Sequence, residues 1–236
     1  AIAVLSASIT RDISPPEAMR ARGRSGSPGL AEIRNSALPW MAESPRSHAS
    51  AAGAGGWTIV HPGAALAARR WPPARWAAVA RAEARAGRAV LVTGSAAEVP
   101  LARRVARLAG LRPRAVVAGA TDLGALAALV ARAGRVVCGD TGVAHLATAL
   151  RTPSVVLHGP APPSRWGPPP DRPWHRALWR GGAGDPVAGR PHPGLLALAP
   201  ADVLAALAAL PARPPPARRA AHGPHAVGGG RVDGGR

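Results

Sequence analysis

The sequence predicts an α/β fold: a parallel sheet with helices on both faces. Two observations predict it. Between residues 57 and 210, short apolar runs alternate strictly with helix-like segments. The apolar runs also lack polar alternation, which marks strands covered on both sides rather than one.

The elements follow in order. WTIV (57–60) is a short apolar run that ends in HPGA. Residues 72–87 carry a helix pattern with Pro at the start and Gly at the end, the residues that open and close helices. AVLVTG (89–94) reads as a buried strand. The helix expected over 97–110 places Leu101, Val105 and Leu108 on one face, with Pro100 in its first turn. AVVAG (115–119) reads as a strand, and 121–134 as a helix with Leu123, Leu126, Leu129 and Val130 inward. RVVCGD (135–140) is a strand, 141–150 a helix and PSVVLHG (153–159) a strand. A terminal helix spans 196–210, with Pro200 in its first turn. Residues 57–210 therefore form one Rossmann-like layer of about five strands, whose ligands are expected just outside the carboxyl ends of the strands.

The flanks read differently. Residues 1–56 hold one strand-like run, AIAVLSASIT, and then polar segments rich in Pro, Gly, Ser and Arg. Residues 211–236 carry Pro and Gly clusters without periodicity, the composition of a disordered tail.

Composition excludes several functions. The net charge is +18, from 30 basic and 12 acidic residues, and every basic residue is Arg. Absence of Lys removes Schiff-base catalysis and the GK[ST] phosphate loop. Absence of Phe and Tyr removes the usual stacking platforms for single-stranded nucleic acid. The Arg excess, beside many Ala, Gly and Pro, fits the codon bias of a GC-rich genome, so no nucleic-acid partner is expected. A single cysteine, Cys138, forms no internal disulfide. No window approaches the roughly 20 apolar residues of a membrane span.

Four strand ends carry Gly or polar sequence: HPGA (61–64) with ARRWP behind it, TGSAAE (93–98), GDTGVAH (139–145) and HGPAPPSRWGPP (158–169). GDTGVAH is the most informative. A strand ends at Asp140 and a helix starts at once, so Thr141 and Gly142 offer a hydroxyl and free N–H groups at a positive helix end suited to phosphate. His145 lies one turn on. Asp140 or Thr141 serves equally as an ordinary N-cap. Arg69 and Arg70 supply forked cations that grip phosphate oxygens, or are simply surface arginines. Glu98 can accept ribose hydroxyls, or satisfy a helix dipole. The histidines lack metal-ligand spacing and Ser164 lacks a GxSxG context, so no metal and no hydrolase triad is expected.

The order of these features is more specific than any one of them. HPGA, RRWP with a helix, TGSxxE with a helix, DTGxxHLA and HGPxxPxxWGP in sequence resembles glycosyltransferase family 9, the heptosyltransferase family, over roughly 57–210. The resemblance implies the C-terminal, donor-binding half of a GT-B fold, two Rossmann-like domains facing across a cleft. It implies that Glu98 holds the nucleotide ribose and that Arg69 meets the diphosphate. Thr141, Gly142 and Val143 then cradle the phosphates, and Asp140 lies near the transferred sugar. Thr93, Gly94 and His145 complete the expected nucleotide-sugar site. No cofactor is implied.

The implied reaction is inverting sugar transfer from a nucleotide-diphosphate donor, ADP-heptose-like, to a saccharide or lipid-linked acceptor. The implied setting is cytoplasmic, at the inner face of the cell membrane. A complete member needs on the order of 150 further residues for a second domain that carries the acceptor site and catalytic base. Residues 1–56 are too few, so a truncated member is expected, binding donor with transfer near background. The rival readings are a nucleotide-sugar-binding module without catalysis and a basic nucleic-acid-binding protein.

Overall fold

The fold is described for residues 56–212 in a computed structural model. The expectations for residues 1–55 and 213–236 lie outside the described residues. Strand β1 (Thr58–His61) is fully buried, as the unbroken apolar run TIV requires. It pairs in parallel with β2 (Val90–Val92) on one side and β3 (Arg135–Gly139) on the other. Next to β3 lie β4 (Ser154–Leu157) and β5 (His175–Leu178), also parallel. The five-stranded order is β2-β1-β3-β4-β5.

This order sets the handedness of the layers. The chain leaves β1 toward β2 through α1 (Pro73–Arg85), and leaves β3 toward β4, in the opposite direction, through α4 (Gly142–Ala149). Right-handed crossovers then place these helices on opposite faces. The two apolar cores agree. On one face, Val60, Val92, Val137 and Val155 meet α1, α2 (Val99–Ala109) and α7 (Pro200–Ala208). On the other, Ile59, Leu91, Val136 and Val156 meet α3 (Leu123–Arg132) and α4. Neighbouring strand residues thus alternate between two apolar cores.

Several expectations are corrected. AVVAG (115–119) is not a strand but a single parallel bridge, Val92 to Val116, at the β2 edge. The 3-10 turn Pro113–Ala115 runs directly into it, and Gly119 turns out of it with φ at 75°. The fifth strand is β5, whose mixed sequence HRAL hides it: only His175 is buried there. Leu108 and Leu123 are 37% and 71% exposed, because α2 docks through Ala102, Val105, Ala106 and Ala109, and α3 through Ala125, Leu129 and Val130. The short helix α5 (Pro163–Trp166) follows β4. The helix expected over 196–210 is two pieces, α6 (Pro193–Leu196) and α7, separated where Ala199 is extended ahead of Pro200.

The turn ARRWP is anchored from behind. Trp71 is 2% exposed, donates its indole N–H to the Leu198 carbonyl at 3.1 Å and meets Trp76 edge-on at 5.0 Å. This anchor holds the preceding 3-10 turn, Ala67–Arg69, over the sheet ends. Gly159 makes room for it: a Cβ there would stand 3.1 Å from the Ala68 carbonyl oxygen.

Candidate functional site

In a 2-1-3-4-5 sheet the crevice opens at the carboxyl ends of β1 and β3, where successive connections diverge. The polar residues collect there. Asp140 follows β3 and is 4% exposed. Arg69 reaches it from the turn after β1, with Nη1 3.6 Å from Oδ2 and 3.4 Å from the Asp140 carbonyl oxygen. Arg69 Nε is buried without a partner among the described residues. Arg70 is used differently: its Nε donates to the Ala64 carbonyl at 2.9 Å and ties down the HPGA loop.

Thr141 occupies the N-cap position of α4 in extended backbone, yet its side chain makes no cap hydrogen bond. Its hydroxyl lies 3.4 Å from the Gly139 carbonyl oxygen instead. The first N–H groups of a helix have no partner within it, so the Gly142 and Val143 amides need one from outside. Gly142 is exposed, and a Cβ on it would meet nothing within 4 Å. Val143 buries its side chain, so only its backbone faces outward at the start of α4. His145 is exposed one turn along.

His158, at the end of β4, is fully buried, with neither ring nitrogen hydrogen-bonded among the described residues. Burial holds its pKa below the ordinary value; Asp140 and the Ala161 backbone oppose this, while Arg69 and His145 add to it. An imidazole withdrawn from water beside the Arg69–Asp140 pair is a group whose hydrogen bonding a ligand or ordered water can complete.

A second cluster joins the ends of β1 and β2. His61 Nδ1 and the Thr93 hydroxyl lie 2.9 Å apart, both buried. Burial depresses the His61 pKa, with Glu98 opposing. Thr93 therefore spends its hydroxyl on a structural bond. Gly94 follows it and packs against Glu98, with a Cβ there falling 3.1 Å from that of Glu98. Glu98 Oε2 accepts from the Ser95 N–H at 2.8 Å and from the Ser95 hydroxyl at 2.9 Å, two bonds that close the turn before α2. Burial raises the Glu98 pKa, but the Ser95 bonds, His61 and Arg70 outweigh it and hold the carboxyl below its usual range. Glu98 thus closes this turn through one of its two oxygens.

The structure brings Arg69, Asp140, Thr141, Gly142 and the Val143 backbone into one group, with Thr93, Gly94 and Glu98 at the neighbouring strand end. In the sequence His158 appears only as the first residue of the strand-end segment HGPAPPSRWGPP, with no role of its own. Its signal was a polar residue ending an otherwise apolar strand. Among the described residues no cluster of His, Cys, Asp and Glu could hold a metal ion, and no helix is long and apolar enough to cross a membrane.

Comparison with known proteins agrees with this architecture. The model of glycosyltransferase family 9 (heptosyltransferase) matches residues 35–178. Lipooligosaccharide heptosyltransferase 2 of Haemophilus influenzae is 33% identical over 108 residues, 44% of this chain and 31% of that protein. Lipopolysaccharide heptosyltransferase 1 of Pseudomonas aeruginosa is 38% identical over 96 residues, 40% of this chain and 26% of that one. The solved structure of E. coli ADP-heptose lps heptosyltransferase II superposes with a TM-score of 0.57 at 27% identity, over 67% of this chain and 47% of that chain. The matches to the curated relatives thus span about a third of their length or less.

Proposed function

Since the chain belongs to glycosyltransferase family 9, we propose that residues 56–212 bind the nucleotide-diphosphate sugar donor of a heptosyltransferase-type reaction. The observation that carries this reading is the Arg69–Asp140 pair beside the uncapped start of α4, in the crevice between β1 and β3. The diphosphate lies against the Gly142 and Val143 amides, where the helix dipole and Arg69 meet its charge. The same groups stabilise the charge that builds on the diphosphate as the sugar–phosphate bond breaks. Asp140 faces the transferred sugar, and Glu98 offers its second oxygen to the ribose. His145 stands at the outer edge of the phosphate cradle.

ADP is the favoured nucleotide, in keeping with the ADP-heptose named for the E. coli relative. The acceptor is a saccharide or lipid-linked saccharide, taken at the inner face of the cell membrane. Its hydroxyl attacks the anomeric carbon with inversion, and a base outside the described residues takes the proton.

The test is a thermal-shift titration of the purified chain with ADP, ADP-sugars and other nucleoside diphosphates. Ligand at a hundred times its dissociation constant adds about 2.7 kcal/mol. That raises Tm by roughly 5–10 °C in a chain of this size. No shift with any nucleoside diphosphate or its sugar would overturn the reading. Release of ADP on adding a saccharide acceptor distinguishes an enzyme from a binding module.

A further inference from the structure

The Glu98 carboxyl end lies across the loop after β1, against Gly63. A Cβ built on Gly63 would fall inside the contact distance of Cδ and both carboxylate oxygens, 2.6 Å from Oε2. The backbone at Gly63 has no positive φ, so an L-residue is compatible with the chain itself. Glu98 is what excludes a side chain there. Gly94 is close as well, and a Cβ there would lie 3.4 Å from Oε2. The two loops that carry these glycines are tied together by the His61–Thr93 bond and by the Thr93 N–H to the Val60 carbonyl at 3.0 Å. The carboxylate thus sits in a slot walled by two glycines, with Ser95 holding Oε2.

We propose that Gly63 is a specificity-determining position: its missing side chain is the seat that holds Glu98 where it can read the ribose hydroxyls of the donor. This rests on the ribose role given to Glu98 above. An alanine at 63 overlaps the far end of a flexible side chain rather than backbone, so Gly63→Ala folds, with the carboxylate pushed off Ser95 and out of the slot.

The experiment is a cycle of wild type, Gly63→Ala, Glu98→Ala and the double variant, read in two ways. Urea unfolding without nucleotide tests the seat alone. Gly63→Ala lowers the midpoint in the wild-type background and leaves it unchanged once Glu98 is Ala, because the overlap is then gone. An equal loss in both backgrounds overturns the proposal.

Calorimetric titration with ADP and 2′-deoxy-ADP tests the specificity. A hydrogen bond to a charged group discriminates by about tenfold to a hundredfold. Wild type prefers ADP to that extent, and all three variants bind the two ligands equally. If Glu98→Ala keeps the wild-type preference, the ribose reading itself has failed, and the proposal with it. If Glu98→Ala loses the preference but Gly63→Ala keeps it, the ribose reading stands and the specificity role of Gly63 is refuted.

Discussion

Arg69→Ala removes a cation from a carboxylate that is almost wholly withdrawn from water. At the 3.6 Å separation of Nη1 and Oδ2, Coulomb attraction at an effective dielectric of about 20 is about 4–5 kcal/mol. Two effects reduce it. The Arg69 side chain is 28% exposed, so solvent screens the pair, and bringing both ions together has already cost desolvation. A net loss of about 1–2 kcal/mol remains, or roughly 2–8 °C in Tm.

The assay is thermal unfolding of the nucleotide-free protein in a second cycle: wild type, Arg69→Ala, Asp140→Asn and the double variant. Asp140 is the group left stranded, so neutralising it recovers most of the Arg69→Ala loss. A coupling of at least about 1 kcal/mol is expected. Additive losses would show that the two side chains do not sustain one another, and the account of the crevice as an ion pair would be wrong. ADP affinity, measured separately, falls about tenfold to a hundredfold in Arg69→Ala, as loss of a charge-assisted phosphate contact requires.

Other perturbations separate binding from stability. Gly142→Ala meets open space, so Tm is retained while ADP affinity falls, because the added methyl group intrudes on the proposed phosphate cradle; unchanged affinity in calorimetry refutes the cradle. Glu83 is 4% exposed and accepts from the Thr58 hydroxyl at 2.6 Å, with Arg88 and Arg135 3.5 and 3.6 Å away. It lies at the amino ends of the strands, so Glu83→Leu costs about 2–4 kcal/mol in urea unfolding and leaves ADP binding of the folded fraction unchanged. Burial, with Arg172 adding to it, lowers the His175 pKa to about 4. The unfolded imidazole binds its proton near pH 6.5, so stability is full above that value, declines as pH falls and levels off below about pH 4. The loss approaches about 3 kcal/mol, and His175→Gln flattens this part of the pH profile of the urea midpoint.

The sequence by itself determined the parallel sheet, because unbroken runs such as TIV and VVCG have apolar residues for both faces and no register in which one side tolerates water. It also put Gly and polar residues directly after those runs, at the carboxyl ends of the strands. It could not tell a strand from a bridge at AVVAG, nor see β5 in HRAL: edge pairing depends on the neighbour rather than on the run itself. Helix faces misled at Leu108 and Leu123 for a similar reason: an apolar stripe has several edges, and packing selects one. Within the site, residue types named Arg69, Asp140 and Glu98 but not their partners. The tertiary structure decided that Arg69 faces Asp140, 71 residues away in the chain. It also decided that Thr93 spends its hydroxyl on His61, and that Glu98 rests on Gly63. A side chain's role depends on which atoms the fold brings within about 3 Å of it. For loops that meet only because their strands are neighbours, sequence order carries no such distance.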